Sequence, residues 1–155
     1  MKPVPASLSA PAVGPVDRVA RFPQPPTTDA PLILVVDDDQ HGREGLVEFL
    51  VACGYRVIQA ADGPEALAKV KQRQPAVVLL DLALPRIDGW HVAQTIRREL
   101  AMPGTRLVAL SGLDYPNELA RAVECGCDLV LPKPCDPARL LGTIKAITAT
   151  LPQSM

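Results

Sequence analysis

The stretch AVVLLDLALPRIDGW, residues 76–90, passes from a short continuous apolar run into a single acid and then into a turn. Ala76–Leu80 holds five consecutive apolar residues, and Asp81 follows them directly. A continuous apolar run of this length is typical of a strand that is buried on both faces of a parallel sheet. Asp88-Gly89 is a turn dipeptide that predicts the start of a helix. We therefore predict a central strand with Asp81 directly after it, followed by a helix.

The same pattern repeats along the chain from Leu32 onward. Short apolar runs alternate with amphipathic stretches, which is typical of parallel strands covered by helices on both faces. The predicted strands are Leu32–Val36, Tyr55–Gln59, Ala76–Leu80, Arg106–Leu110 and Asp128–Leu131. The predicted helices cover residues 40–52, 63–73, 89–100, 115–125 and 137–150. This order predicts an α/β fold of the (βα)5 type over about 120 residues.

Length and proline content set the predicted domain boundaries. The 155 residues are enough for one globular domain, which we place at residues 31–151, with a short C-terminal tail at 152–155. Eight of the first 31 residues are proline, which disfavours helix and strand hydrogen bonding, so residues 1–30 are predicted to be a disordered tail. That tail is either a tether or partner-binding arm, or a dispensable extension. Because the chain ends soon after the last predicted helix, we expect no further output domain.

Composition argues against several function classes. The formal net charge is −1 and only 3% of the residues are aromatic, so direct binding to nucleic acid is not expected. No apolar run reaches the roughly 20 residues of a membrane span, so membrane insertion is not expected either. The four cysteines lack the spacing of a zinc site or a disulfide framework. We predict that they are small buried hydrophobic residues in a reduced, cytoplasmic protein.

Polar residues follow four of the five predicted strands. Asp37 and Asp38 come after the first strand, Asp81 comes after the third, Ser111 follows the fourth and Lys133 follows the fifth. Because ligands bind at the carboxyl ends of the strands in an open α/β sheet, these side chains are expected to lie together. Clustered carboxylates repel one another, so the cluster predicts a hard cation with oxygen ligands, Mg²⁺ or Mn²⁺.

A divalent cation beside a single aspartate indicates phosphoryl transfer onto that carboxylate, which can form an acyl phosphate. Asp81 is the candidate nucleophile because it stands alone after the central strand, whereas Asp37 and Asp38 are adjacent and suited to the metal. The Lys133 ammonium would hold one phosphoryl oxygen, and the Ser111 hydroxyl would donate to another. Asp39, the third acid after the first strand, is interpreted as a helix N-cap rather than a metal ligand.

Four segments together resemble the receiver domains of response regulators in two-component signalling. They are VVDDD (35–39), DLALPRIDGW (81–90), LVALSG (107–112) and LPKP (131–134). The resemblance implies a doubly wound, flavodoxin-like parallel sheet in the order 2-1-3-4-5. It also implies phosphorylation of Asp81 by a histidine kinase or a histidine phosphotransfer protein. Output would then follow through a downstream protein target or an onward phosphorelay.

The resemblance also assigns roles to the site residues. It implies Mg²⁺ ligation by the carboxylates of Asp37, Asp38 and Asp81 and by the backbone carbonyl of Ala83. Asp38 would ligate the ion directly, and Asp37 largely through water. Ser111 would be the switch hydroxyl and Lys133 the phosphoryl-binding lysine. The Lys133-Pro134 peptide is expected to be cis.

Two positions depart from the family pattern. The residue two before Pro132 is usually aromatic and reports the phosphorylation state to the outer surface, but here it is Val130. The residue after the Lys-Pro pair is usually Phe, but here it is Cys135. Both changes leave the phosphoryl site intact and put the usual aromatic relay in doubt.

Two other functions stay open. A pseudo-receiver would bind a partner without phosphorylation, and a Mg²⁺-dependent phosphatase would work through an aspartyl phosphate. We expect a monomer or a phosphorylation-dependent dimer, and no enzyme activity beyond its own phosphorylation and autodephosphorylation. His41 and His91 are interpreted as exposed helix residues, and Arg97 and Arg98 as part of a solvated face.

Overall fold

A computed structural model describes residues 28–112 and 115–149 of the chain. Its strands form one parallel sheet, and they are β1 (Leu32–Val36), β2 (Arg56–Ala60), β3 (Val77–Asp81), β4 (Arg106–Ser111) and β5 (Leu129–Pro132). The strand order is β2-β1-β3-β4-β5, which confirms the predicted doubly wound fold. All but the last three residues of the predicted N-terminal tail, and the C-terminal tail at 152–155, lie outside the described residues.

Helices follow each strand of the sheet. They are α1 (Gln40–Ala52), α2 (Gly63–Arg73), α3 (Gly89–Gln94, continued by a π-helical turn at Thr95–Glu99), α4 (Tyr115–Glu124) and α5 (Pro137–Ala149). The ends of these helices and of the strands lie within one residue of the predicted bounds. In the two described ranges, no helix has both the length and the apolar character to cross a membrane.

The sheet separates two hydrophobic layers. Leu34 and Leu80 belong to the layer that includes buried residues of α2, α3 and α4. Ile33 and Leu79 belong to the layer that includes buried residues of α1 and α5. Successive residues of a strand point to opposite faces, so a strand covered on both faces must be apolar throughout. This explains the continuous apolar runs, and β1 and β3 are buried at every position.

The register of the strands brings the polar residues to one rim of the sheet. β3 lies between β1 and β4, with Leu80 opposite Val36 and Asp81 opposite Leu110. Asp37 and Ser111 each come one residue after these partners, so they flank Asp81 on its two sides. The predicted meeting of polar groups at the carboxyl ends of the strands is therefore present.

Aspartates cap helices that begin at this rim, and Asp39 and Asp88 are the two caps that lie nearest to the acidic residues in the sequence. Asp39 accepts a hydrogen bond from the backbone N–H of Gly42 at 2.9 Å, which confirms the prediction that it is the N-cap of α1. Asp88 caps α3 in the same way, by accepting from the N–H of His91 at 2.9 Å. The positive ends of both helix dipoles therefore lie at the rim, where they favour negative charge.

The prediction of a solvated face is wrong for Arg97. Its guanidinium donates to three backbone carbonyls and one carboxylate, those of Met102 (2.9 Å), Thr105 (2.7 Å), Gly126 (2.8 Å) and Asp128 (2.6 Å). The side chain thereby ties the π-helical end of α3 to the turns before β4 and β5. Arg98, in contrast, is exposed as predicted.

Candidate functional site

Three carboxylates meet where β1 and β3 end. Asp37, Asp38 and Asp81 each offer an oxygen atom, and these atoms all lie within 4.8 Å of one another. Asp37 and Asp81 are buried, with 9% and 5% of their surface exposed, whereas Asp38 is exposed. A group of carboxylate oxygens with one side open to water is the donor set of a hard divalent cation. The residues present therefore fit Mg²⁺ or Mn²⁺.

Lys133 contacts two of these acids. Its Nζ atom is 3.2 Å from Oδ2 of Asp37 and 3.2 Å from Oδ2 of Asp81. The residue follows β5, and its peptide bond to Pro134 is cis, as the resemblance implied. Its backbone N–H donates to the carbonyl oxygen of Ser111 at 2.7 Å. The ammonium group thus reaches from the β5 end of the rim to the acids of β1 and β3.

Opposing influences act on the Asp81 carboxyl group. Burial is the largest, and it raises the pKa of Asp81 above its ordinary value, with a smaller rise from Asp37. The N–H of Ala83, which donates to Oδ1 at 3.0 Å, and the Lys133 ammonium act to lower that pKa. Burial prevails, so the Asp81 anion is less stable here than in water. A cation bound beside it would stabilise the charged form.

The site favours the charged form of Lys133, whereas it disfavours the charged form of Asp81. Burial alone would lower the pKa of Lys133, but Asp81 and Asp37 outweigh burial and raise the pKa above its ordinary value. The lysine therefore stays protonated at neutral pH, and it presents a permanent positive charge to the two buried acids.

The Ser111 hydroxyl is buried without a partner. Ser111 is only 3% exposed, and its Oγ atom makes no hydrogen bond within the described part of the chain. A buried polar group without a partner is unfavourable by about 1–3 kcal/mol. Because Ser111 follows the residue paired with Asp81, a group with acceptor oxygens bound at Asp81 would relieve this penalty.

Two residues make contacts at the site that were not predicted. The N–H of Ala83 binds the Asp81 carboxylate, while the predicted metal-ligating role of the Ala83 carbonyl stays a prediction. Arg43 donates through Nη1 to the carbonyl oxygen of Asp37 at 2.7 Å and through Nε to Oε1 of Gln59 at 2.8 Å. Arg43 stands four residues after the N-cap Asp39, and this spacing of one helical turn could have placed it over the acidic loop.

The histidines follow the predictions, and the cysteines follow them only in part. Val130 is buried, and both histidines are exposed as predicted. All four cysteines are free, but the prediction of uniform burial is wrong, because Cys53 is exposed and Cys135 is only partly buried. Burial raises the pKa of the Cys127 thiol to about 12, which makes it a poor nucleophile.

Comparison with known proteins places this site in a family context. A family model described as the response regulator receiver domain matches residues 33–145. The chain is 34% identical over 119 residues to Protein PilG of Pseudomonas aeruginosa, which covers 77% of this chain and 88% of that protein. It is 39% identical over 115 residues to the probable transcriptional regulator ycf27 of Porphyridium aerugineum, covering 74% of this chain and 47% of that protein. The chain thus spans about half the length of the ycf27 regulators that it matches.

Comparison with solved structures also finds response regulators. A putative response regulator from Chloroflexus aurantiacus superposes with a TM-score of 0.73 at 30% identity, over 77% of this chain and 98% of that one. The chemotaxis protein CheY4 of Vibrio cholerae superposes with a TM-score of 0.72 at 29% identity, over 76% of this chain and 98% of that one. Both likenesses cover almost the whole of the compared chain.

Proposed function

The chain belongs to the response regulator receiver domain family, and we propose that it is a phosphorylation-dependent switch whose phosphoacceptor is Asp81. The observation that carries this proposal is the contact of Asp81 with Lys133 at 3.2 Å, beside the buried carboxylate of Asp37. A carboxylate nucleophile, a permanent cation and neighbouring acids suited to a metal are the parts that acyl-phosphate formation requires.

In the proposed reaction, an oxygen of the Asp81 carboxylate attacks the phosphorus of a phosphohistidine on a partner protein. The new O–P bond forms as the N–P bond breaks, and the imidazole leaves with the bonding electron pair and takes up a proton from solvent. Lys133 holds one phosphoryl oxygen, and the Ser111 hydroxyl donates to another. These two contacts draw the ends of β4 and β5 towards Asp81 and shift an equilibrium between two surface arrangements.

A divalent cation belongs to this proposal. Mg²⁺ or Mn²⁺ would be held by the carboxylates of Asp37, Asp38 and Asp81 and by the backbone carbonyl of Ala83. When bound, the ion offsets negative charge on the transferring phosphoryl oxygens. The charge of the site supports this assignment, because three carboxylates within 4.8 Å outnumber the single ammonium of Lys133.

The proposed partners are a histidine kinase or phosphotransfer protein as donor, and a downstream protein or the next phosphorelay component as target. We propose a stand-alone regulator that catalyses only its own phosphorylation and autodephosphorylation. Its similarity over 88% of Protein PilG and 98% of the Chloroflexus aurantiacus chain supports the stand-alone form. Four free cysteines support a reducing, cytoplasmic location.

Mass spectrometry of the intact protein tests the proposal. The wild type, Asp81→Asn and Asp88→Asn are each incubated with acetyl phosphate and Mg²⁺. Asp88→Asn is the matched control, because it removes a nearby carboxylate while keeping a residue that can cap α3. We expect one added phosphoryl group on the wild type and on Asp88→Asn, and none on Asp81→Asn.

Other results would point to the remaining functions. A wild type that takes up no phosphoryl group while still binding a partner would indicate a pseudo-receiver. Equal labelling of wild type and Asp81→Asn would move the modification to another residue. Sustained turnover of phosphate esters other than acyl or amido phosphates would indicate a phosphatase.

A further inference from the structure

One guanidinium connects the ends of β1 and β2 beside the acidic cluster. Arg43, on the first turn of α1, donates through Nη1 to the backbone carbonyl of Asp37 at 2.7 Å. Through Nε it donates to the side-chain oxygen of Gln59 at 2.8 Å. Arg43 therefore bridges two neighbouring strands at the rim where the three carboxylates meet.

The bonded carbonyl belongs to the peptide that joins Asp37 to Asp38. The Asp37 carboxylate has its own contacts, because Oδ1 accepts from the N–H of Asp39 at 2.9 Å and Oδ2 faces Lys133 at 3.2 Å. No hydrogen bond or ion pair within residues 28–112 and 115–149 holds the Asp38 carboxylate. Its direction therefore depends on the orientation of its own backbone, which the bond from Arg43 to this peptide restrains.

The far end of this bridge is itself anchored. The backbone carbonyl of Gln59 accepts from Nζ of Lys69, and the same ammonium pairs with Glu65 at 3.0 Å. Glu65 also accepts from the backbone N–H of Ala61 at 3.0 Å. Gln59 thus lies in a bonded network that joins β2 to α2, and it offers Arg43 a rigid partner.

We propose that Arg43 is a positioning residue that orients the Asp37–Asp38 peptide, so that both carboxylates face a divalent cation. The inference rests on the proposed function, because it assumes a cation at the acidic cluster. Arg43 contacts neither the reacting carboxylate of Asp81 nor its partner Lys133. A lysine at this position keeps the positive charge but lacks the planar fork that serves two acceptors at once.

Cation affinity separates this role from a purely structural one. Mn²⁺ binding to the full chain is followed by electron paramagnetic resonance of the free ion, for the wild type, Arg43→Lys, Arg43→Gln and Gln59→Ala. Groups that orient metal ligands typically change affinity by about 10–100-fold, so we expect the Kd of both Arg43 variants to rise about 10-fold. Gln59→Ala should raise the Kd by a smaller factor, because it removes only the second anchor. Arg98→Lys is the matched control and should keep the wild-type Kd, because Arg98 is exposed and its side chain has no hydrogen bond or ion pair within the described residues.

A second readout is the Mg²⁺ dependence of labelling by acetyl phosphate. The Mg²⁺ concentration for half-maximal rate should rise about 10-fold in Arg43→Lys, while the rate at saturating Mg²⁺ stays at the wild-type value. An unchanged Kd in Arg43→Lys, or tighter binding in Arg43→Gln, would overturn the inference, the latter because it would show that charge repulsion dominates. If the variants lose thermal stability without a change in Kd, Arg43 only holds the fold. A wild type that binds no Mn²⁺ would instead defeat the proposed function.

Discussion

A Cβ atom on Gly89 would lie 2.6 Å from the backbone carbonyl oxygen of Asp81. It would also lie 2.7 Å from the Cα atom of Leu82, so α3 begins in direct contact with the backbone of Asp81 and Leu82. Neither contact can be relieved by turning a side chain. We therefore expect Gly89→Ala to lower the free energy of unfolding by about 1–3 kcal/mol, measured by urea denaturation.

Gly45→Ala is the matched control for this prediction. Gly45 lies inside α1, and a Cβ atom there would have no neighbour within 4 Å. Alanine is the better helix former by about 0.5–1 kcal/mol, so this variant should be more stable than the wild type. Equal stability of Gly89→Ala and wild type would contradict the close packing of α3 on Asp81.

Arg86 occupies a left-handed backbone conformation in the loop after β3. Its φ angle is +67°, and its side chain is 75% exposed with one long ion pair to Asp62 at 3.7 Å. An exposed pair of this kind contributes little, whereas the left-handed conformation is unfavourable for a residue with a Cβ atom by about 1–2 kcal/mol. Arg86→Gly should therefore raise the free energy of unfolding by about 1 kcal/mol in urea denaturation. Arg98→Gly, in the π-helical turn that ends α3, should lower the free energy of unfolding by a similar amount. A loss of stability in Arg86→Gly would contradict this prediction.

The fold followed from the apolar runs because a parallel sheet buries both faces of its strands. The one-residue errors in the predicted strand bounds have a physical cause, and Tyr55 is an example. The apolar pattern predicts Tyr55 inside the second strand, but the residue lies before β2, where it is buried and its N–H donates to the carbonyl of Leu50. Hydrophobicity reports that a residue is buried, and it does not report whether the backbone joins the ladder.

The acids and the lysine of the site were found because each follows a strand, and parallel topology brings those positions together. Arg43 and Arg97 were missed for a different reason. Both lie on helices, where a charged residue usually faces water, and most of their partners are backbone carbonyls. A backbone acceptor has no sequence signature, so such contacts are visible only in the structure.

Substitution of Arg97 should destabilise the fold more than substitution of its exposed neighbour Arg98 does. Among the described residues, Arg97→Met leaves the carbonyls of Thr105 and Gly126 without a donor, and it leaves that of Met102 with only the Thr105 N–H at 3.3 Å. Unsatisfied buried acceptors are unfavourable by about 1–3 kcal/mol each, and water can reach some of them, so we expect a loss of about 2–3 kcal/mol overall. Thermal and urea denaturation would measure it. Arg98→Met should stay within about 0.5 kcal/mol of the wild type, and equal effects of the two variants would rule out the predicted role of Arg97.

The raised pKa of Asp81 predicts how stability depends on pH when metal is removed with a chelator. In the unfolded chain Asp81 titrates near its ordinary value of 3.8, and in the folded chain it titrates at a higher pH. Between the two values the folded protein binds more protons, so the Asp81 contribution to the free energy of unfolding falls as pH rises. At a pH above both the unfolded and the folded pKa of Asp81, this contribution has fallen by its full amount. At pH 7 we therefore expect Asp81→Asn to be more stable than the wild type, and at pH 3 we expect the difference to disappear.

Urea denaturation at a series of pH values, with Asp88→Asn as control, measures this dependence. Asp88→Asn keeps the Asp81 carboxyl group and should show the wild-type fall of stability with pH. Lys133 stays protonated across this range and keeps Asp37 as a partner in Asp81→Asn, so its charge does not mask the effect. Because the proposed Mg²⁺ site exists only in the folded state, added Mg²⁺ should stabilise the wild type more than Asp81→Asn. A wild type that remains more stable than Asp81→Asn at pH 7 without metal would show that the contact with Lys133 outweighs burial, contrary to the direction inferred for Asp81.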